Sequence, residues 1–433
     1  MERKRGSIPS ARARKRGKRG KEKVDDIESQ ELGPSFADLP FPITTDILLR
    51  LSTKPILICK CVCRTWNKLI SDPHFTKMHF ERSSTGYLIR TCDPKLISRT
   101  MYLLEDEPLE LDSECNNSLK LEPTLKLPLR GAKLDLDKRG TTDGLLVCKP
   151  KDHKFDVANS CNGFVCLCDP INKDPLLVCN PVTGEFIRLP KVPTSSKITQ
   201  RAVCSGIGLQ PKTNKYKVVR IGDFNEIKAT FIEINVVGTP TWRIVGARRI
   251  ILVGRLEHPT FLNETLHWIM FEDRKFSILC FNFETEKLHF IYFPSSRFLV
   301  KGILHKECIS MGTLRDSLYV CNASSPSSMQ VWIMKKYDNT VSWTLAFTLS
   351  REPHRGISVF WLVKHFEKGT AILDYHSKKG FTYYDPETNR SKKFLVCGTE
   401  EKLLEVIPHI PSLISLKDVA KGKNVKVLNV NSQ

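Results

Sequence analysis

Three cysteines at two-residue spacing, Cys59, Cys61 and Cys63, are the first place to look for chemistry in this sequence. On a helix that spacing sends neighbouring thiols in divergent directions, which is poor geometry for a tetrahedral zinc site. Cys161, Cys166 and Cys168 fall on a predicted turn and strand with no paired histidine, and read as small buried apolar residues. His267, His289 and His305 are scattered among strand-like runs and read as core or surface imidazoles. The chain has no G-x-x-x-x-G-K-[ST] phosphate loop and no G-x-S-x-G elbow, and Gly206-Ile207-Gly208 lacks the helix that a dinucleotide fingerprint requires. Glu233 reads as a solvent-facing acid on an alternating strand. Trp242, Trp268, Trp332, Trp343 and Trp361 read as core residues, with one or two available to line a binding surface. No active-site constellation stands out among these residues, and an enzyme whose polar or metal-binding residues converge only in the fold stays open.

Charge narrows the class of partner. The chain of 433 residues carries a formal net charge of +20, and residues 1–23 hold eleven Lys or Arg against two acids. Nearly half of the excess therefore sits in a short basic segment, and the body is only mildly basic. Residues 1–34 lack apolar periodicity and are expected to be a disordered tail. Within it Arg14, Lys15, Arg16, Lys18 and Arg19 form a nuclear-import candidate or an arm for nucleic acid. Fifteen cysteines, an odd number, with no apolar leader argue against a secreted disulfide framework. No uninterrupted apolar run is long enough to cross a membrane as a helix. The expected setting is the nucleus, the cytoplasm or both.

Residues 35–80 have a helical texture. Leu39-Pro40-Phe41-Pro42 is an extended entry, and Thr44 can cap a helix starting there, with Asp46 in the first turn. Ile47, Leu48 and Leu51 share a face. Ser52-Thr53-Lys54-Pro55 stops one helix and starts the next. Ile56, Cys59, Val62, Trp66, Leu69 and Ile70 then recur at three- and four-residue spacing, which predicts a single helix up to Asp72-Pro73. A short helical turn carrying Phe75 and Met78 comes next.

From about residue 85 to 415 short apolar runs alternate with turns, as in Phe164-Val165-Cys166-Leu167 and Tyr216-Lys217-Val218-Val219. Residues 105–152 are more polar and are expected to be an insertion or long loops, and residues 416–433 a C-terminal tail. The turns repeat: Asn180-Pro181-Val182-Thr183-Gly184, Gln210-Pro211-Lys212-Thr213-Asn214, Asn282-Phe283-Glu284-Thr285-Glu286 and Asp385-Pro386-Glu387-Thr388-Asn389. Their threonines suggest a unit of about 35 residues, a little under the usual propeller blade. The fold expected is α+β and multidomain: a small helical domain at 35–80, then an all-β, propeller-like domain of about six to eight blades at 85–415.

The stretch Leu39-Pro40 … Asp46-Ile47-Leu48-Leu49-Arg50-Leu51 … Lys60-Cys61-Val62-Cys63-Arg64-Thr65-Trp66 … Ser71-Asp72-Pro73-His74-Phe75 closely resembles the F-box of plant F-box proteins. Ser160-Cys161-Asn162-Gly163, Asn180-Pro181-Val182-Thr183-Gly184, Tyr384-Asp385-Pro386-Glu387-Thr388 and Ile410-Pro411-Ser412-Leu413-Ile414-Ser415-Leu416 are similar to the kelch-related, F-box-associated domain of the same group. Ser52, Pro55, Ile58 and Cys59 depart from the usual F-box pattern. The resemblance implies a non-catalytic substrate receptor of a cullin–RING ubiquitin ligase, without metal or cofactor, docked on a Skp-type linker subunit and presenting a target protein for ubiquitination. The docking residues it implies are Leu39, Pro40, Ile43, Ile47, Leu48, Leu51, Ile56, Val62 and Trp66. The competing expectation is a nuclear scaffold that meets nucleic acid through the basic tail.

Overall fold

The computed structural model describes residues 39–91, 100–105, 118–119, 124–127, 155–170, 172–192, 200–224, 229–248, 256–272, 275–293, 308–314, 316–325, 327–339, 342–350, 360–366, 369–374, 380–385, 390–396, 404–420 and 425–430. The basic cluster at Arg14–Arg19 and His305 lie outside them. The chain divides into two compact units, 1–44 and 45–433. In the first, the described residues open helix α1 (Phe41–Leu49). The Ile43 and Thr44 amides donate to the Pro40 carbonyl at 3.0 and 3.1 Å, so the helix starts ahead of Thr44. Thr44 is not a cap; its Oγ1 turns back to the same carbonyl at 3.4 Å.

The second unit continues through α2 (Thr53–Val62), α3 (Arg64–Ile70) and α4 (Pro73–Arg82). The single helix expected across 56–70 is broken at Cys63, which adopts extended backbone at φ −152°, ψ 163°. Its Sγ accepts the Trp66 amide at 3.4 Å and caps α3 in place of a Ser or Asp. α4 starts as its sequence dictates. Pro73 occupies the first turn, where no donor is missed, and Asp72 accepts from the His74 and Phe75 amides at 2.8 and 3.3 Å.

The described strands then form six sheets. Sheet one holds Gly86–Thr91, Thr100–Leu104, Thr124–Lys126 and Leu404–His409, and sheet two Asp156–Cys161, Phe164–Cys168, Pro175–Asn180, Glu185–Arg188 and Leu428–Asn429. Sheet three runs from Gln200–Gln210 to Arg243–Arg248, sheet four from Glu257–Leu262 to Lys287–Tyr292, and sheet five from Ile309–Leu314 to Trp343–Ser350. Sheet six spans Phe360–Phe366 to Arg390–Val396 and gains Ser118–Leu119 as a parallel fifth strand. Leu404–His409 pairs antiparallel with Gly86–Thr91, so the last long strand described completes the first sheet of the β-propeller.

Neighbouring sheets bury their faces against each other. Val219, Ile221 and Ile232 of sheet three meet Leu266, Trp268 and Phe281 of sheet four. Ile269, Ile278 and Ile291 of sheet four meet Met311, Val320 and Trp343 of sheet five. A strand covered on both faces needs no polar side, which is why Phe164–Cys168 is buried at every position and reads as a continuous apolar run. Each such Leu, Ile or Phe contributes roughly 1.5–3 kcal/mol of burial.

Topology also corrects three expectations. The Asn180–Gly184 and Asn282–Glu286 turns join third and fourth strands, whereas Gln210–Asn214 joins a first and second strand. Asn180, Asn282 and Asp385 therefore end the third strands of alternate sheets, and their 102- and 103-residue separations give a unit of about 51 residues, not about 35. Within the region set aside as loops, 105–152, residues 118–119 and 124–126 are strands. The segment set aside as a tail carries helix α5 (Leu416–Val419) and a strand, Leu428–Asn429, that pairs with Glu185–Phe186.

Candidate interaction surfaces

The helices of the second unit have two kinds of apolar surface. Leu48, Leu49, Ile56, Leu69, Ile70 and Phe75 form one buried cluster, with Leu51 and Trp66 partly buried against it. Two members of that cluster, Val182 and Leu413, come from the propeller. The outer side of α2 instead leaves Ile58 at 59% and Val62 at 62% exposure, one turn apart on the same face. In the first unit, Phe41 is 62% and Ile43 49% exposed, Pro40 is exposed and Leu39 half-buried. Of the docking residues the resemblance implied, Pro40, Ile43 and Val62 thus stand at the surface, and Leu39, Ile47, Leu51 and Trp66 are half-buried. Leu48 and Ile56, at 1% and 0%, have no surface to offer; their part is to hold the helices together. Ile58, noted only as a departure from the usual pattern, is one of the most exposed apolar side chains described.

The propeller meets the helices with two segments that stood out in the sequence, and they also meet each other. Asn180 is fully buried; its Nδ2 donates to the Ser412 and Ile414 carbonyls at 2.9 and 2.8 Å. Its Oδ1 accepts from the Val182 and Thr183 amides at 2.9 and 3.3 Å. One side chain therefore fixes both the turn that presents Val182 and the strand exit that presents Leu413. Glu185 receives the Ser415 hydroxyl at 2.9 Å and the Leu416 amide at 2.7 Å. Gly163, at φ +83°, lies so close beneath that an added Cβ would sit 2.0 Å from Ser412 Cβ. Glu105, just beyond sheet one, accepts the Thr53 amide of α2 at 2.9 and 3.0 Å.

The innermost strands enclose a cavity of about 420 Å³, bordered by Asp156, Ser160, Ser205, Trp268, Met311 and His409 among others. Asp156 is paired with Lys173 and with Arg90, the latter at 3.3 Å. Burial alone would raise its carboxyl, but these two cations hold it below the usual range. His409 Nδ1 lies 2.8 Å from Ser160 Oγ, and burial lowers its imidazole to about 3.

The remaining residues singled out for chemistry are dispersed. Cys61 and Cys63 are exposed and Cys59 half-buried, while burial drives the thiols of Cys161, Cys166 and Cys168 upward. His267 is bound at both ring nitrogens, to the Thr260 carbonyl at 3.0 Å and the Tyr337 hydroxyl at 2.8 Å, and burial lowers it to about 4. His289 faces Asp338 at 3.7 Å. Trp268 and Trp343 are core, and Trp242 is half-buried with its Nε1 donating to the Pro190 carbonyl at 2.9 Å. Glu233 is not solvent-facing: its carboxylate is 4% exposed and accepts from Arg220 at 2.7 Å. Among the described residues no group of three or more His, Cys, Asp or Glu is placed to hold a metal ion.

A family model described as the F-box associated beta propeller domain matches residues 95–416. The chain belongs to that family. A second model, the F-box domain, matches residues 36–78, so the helices described above are an F-box joined to its propeller. F-box protein At3g07870 of Arabidopsis thaliana is 23% identical over 419 residues, spanning 87% of this chain and 91% of that protein. F-box protein CPR1 of the same plant is 23% identical over 387 residues, 82% of this chain and 84% of that one. A chain of the nidogen/laminin complex overlays with a TM-score of 0.34 at 10% identity, covering 75% of this chain and 98% of that chain.

Proposed function

We propose that this F-box protein is the substrate-recognition adaptor of an SCF-type cullin–RING ubiquitin ligase. The F-box docks on a Skp-type linker subunit, and the propeller holds a target protein for ubiquitination. The adaptor makes and breaks no bonds itself. It raises the target's effective concentration at the ubiquitin-charged enzyme and restricts its orientation. Residues 14–19 supply the import signal that brings the complex to the nucleus.

The observation that carries this reading is the outer face of α2. Ile58 and Val62 stay exposed while the inner face of the same helix is sealed by its neighbouring helices and by Val182 and Leu413 of the propeller. A helix that has already completed its core has no folding reason to keep two large apolar side chains in water. A partner groove that takes an apolar helix face provides one. Phe41 and Ile43 of the first unit make a second exposed apolar pair.

The test is capture of a purified Skp-type linker subunit by the full chain, compared with an Ile58→Asp/Val62→Asp variant. Wild type is expected to bind and the variant not, with the propeller's thermal transition unchanged. A wild-type chain with no affinity for the linker ends the adaptor reading. Deleting residues 1–23 is expected to leave linker binding intact. Salt-sensitive nucleic-acid binding by the intact chain that disappears on that deletion, with no linker binding by either form, favours a scaffold instead.

A further inference from the structure

The link between α4 and the first propeller strand is short, Ser83-Ser84-Thr85, with no helix or strand geometry of its own. A connection of that kind is a natural swivel, yet three contacts from distant parts of the chain oppose it. The first is a helix cap. α2 begins after Ser52, whose side chain makes no capping bond, so its first amide needs another acceptor. The Glu105 carboxylate takes the Thr53 N–H with both oxygens, at 2.9 and 3.0 Å. Its negative charge also sits at the positive end of the ten-residue helix. The second and third contacts are Val182 and Leu413, which join the buried F-box cluster from the Asn180–Gly184 turn and the strand exit at 410–416. Asn180 binds those two segments to one another, with all four of its hydrogen-bonding positions used.

We propose that Glu105, Val182 and Leu413 are positioning residues that clamp the F-box helices to the propeller, Glu105 at the start of α2 and the linked Val182 and Leu413 segments at the buried helical cluster, so that a target is presented to the docked linker at one fixed angle. The proposal rests on the adaptor reading for its purpose, but the clamp itself is a property of the free chain. Glu105 at one place and the linked Val182 and Leu413 segments at another oppose the rotations that the connection at 83–85 leaves open. The anchors lie on the inner side of the helices, so they leave Ile58 and Val62 accessible. A fixed angle is what a tethered reaction needs, because effective concentration falls as the tethered group samples more space.

The experiment compares the full-length chain with Glu105→Ala and with Glu105→Ala/Leu413→Ala by hydrogen exchange and linker binding. Amides of α2 and α3 are expected to exchange about tenfold faster in the double variant, with those of sheets two and four unchanged. Linker affinity is expected to stay at the wild-type value. In the linker complex, the distance distribution between a fluorophore on the linker and one on the propeller is expected to broaden. Glu105→Gln keeps one accepting oxygen and is expected to restore the narrow distribution. A merely structural role for Glu105 would lower stability without broadening that distribution. Unchanged exchange in α2 and α3, or a distribution already broad in wild type, overturns the clamp. Glu105→Ala alone removes a cap and opens no core, so it remains informative where Leu413→Ala loosens the strand exit. Failure of wild type to bind the linker removes the adaptor reading only, and the exchange measurement on the free chain still decides the clamp.

Discussion

Ile56 and Ile58 lie two residues apart on α2, and the first is fully buried while the second is 59% exposed. Nothing comparable occurs in the strand Phe164–Cys168 of sheet two, where all five residues are buried. Between sheets one and five the propeller buries its shared apolar faces in clusters that span neighbouring sheets, and its exposed apolar side chains, Ile244, Tyr292 and Leu345, stand on the fourth strands. The F-box finishes only one face, and borrows Val182 and Leu413 to do it. The lesson is that one region is complete along its inner strands, whereas the other stays half complete on a helix at its centre. The place to look for a partner is where burial stops inside a regular element.

The comparison is tested most severely in the propeller. Trp268 is 1% exposed between sheets three and four. Trp268→Ala is expected to cost about 3–5 kcal/mol in denaturant unfolding. A loss below about 1 kcal/mol would mean that the sheets are not sealed against one another. Next is the buried pair Arg220–Glu233, with side chains 3% and 4% exposed. Arg220 keeps a second partner, Asp174, at 2.5 Å. Glu233→Ala is therefore expected at the low end of the range for breaking such a pair, about 3 kcal/mol.

Acid should act on both regions in the same direction. Burial lowers His409 to about 3 and His267 to about 4 in the propeller, and lowers His79 in the F-box. A depressed imidazole in the folded state means that the unfolded chain binds more protons below its ordinary value of 6.5. Their stabilisation is thus present above pH 6.5 and is lost as pH falls towards 4 and then 3. Each group contributes a slope of at most about 1.4 kcal/mol per pH unit. Urea midpoints at pH 6 and pH 5 are expected to differ, and His267→Gln to flatten the difference. An unchanged slope in that variant would show that His267 titrates normally.

How much of the molecule is legible in its sequence depends on how local the cause is. The Asp72-Pro73 start of α4 and the Ser52-Thr53 restart at α2 are set by neighbouring residues, and both are where the sequence places them. Strand texture and the F-box motif are legible for the same reason. The break at Cys63 is not, because the apolar spacing runs through it and the thiol that caps α3 belongs to no usual set of caps. Glu233 is misleading because alternation cannot reveal that Arg220, on the neighbouring strand, neutralises it. The repeat length is misleading because two chemically similar turns occupy different places in the sheet. Asn180 and Ser412, 232 residues apart, each stand within a motif, yet only the fold shows that they bind one another. The role of Glu105 carries no sequence signal at all, since a cap supplied from another element has no spacing rule.

The smallest expected effect is the sharpest test of the contrast between the two faces of α2. Val62→Ser removes an apolar side chain that is 62% exposed at the end of the helix, and exchanges one residue of middling helix propensity for another. Its cost to folding is expected to stay within about 0.5 kcal/mol. Ile56→Ala, six residues earlier and fully buried, is expected to cost about 2–5 kcal/mol. The ranking should invert when linker affinity is the readout and Ile56→Ala is measured where it remains folded, because Val62 has surface to lose and Ile56 has none. If Val62→Ser destabilises the chain as much as Ile56→Ala does, the outer face of α2 is covered within the chain itself. The two faces of that helix would then have the same history of burial, and the contrast between a complete region and a half-complete one would disappear.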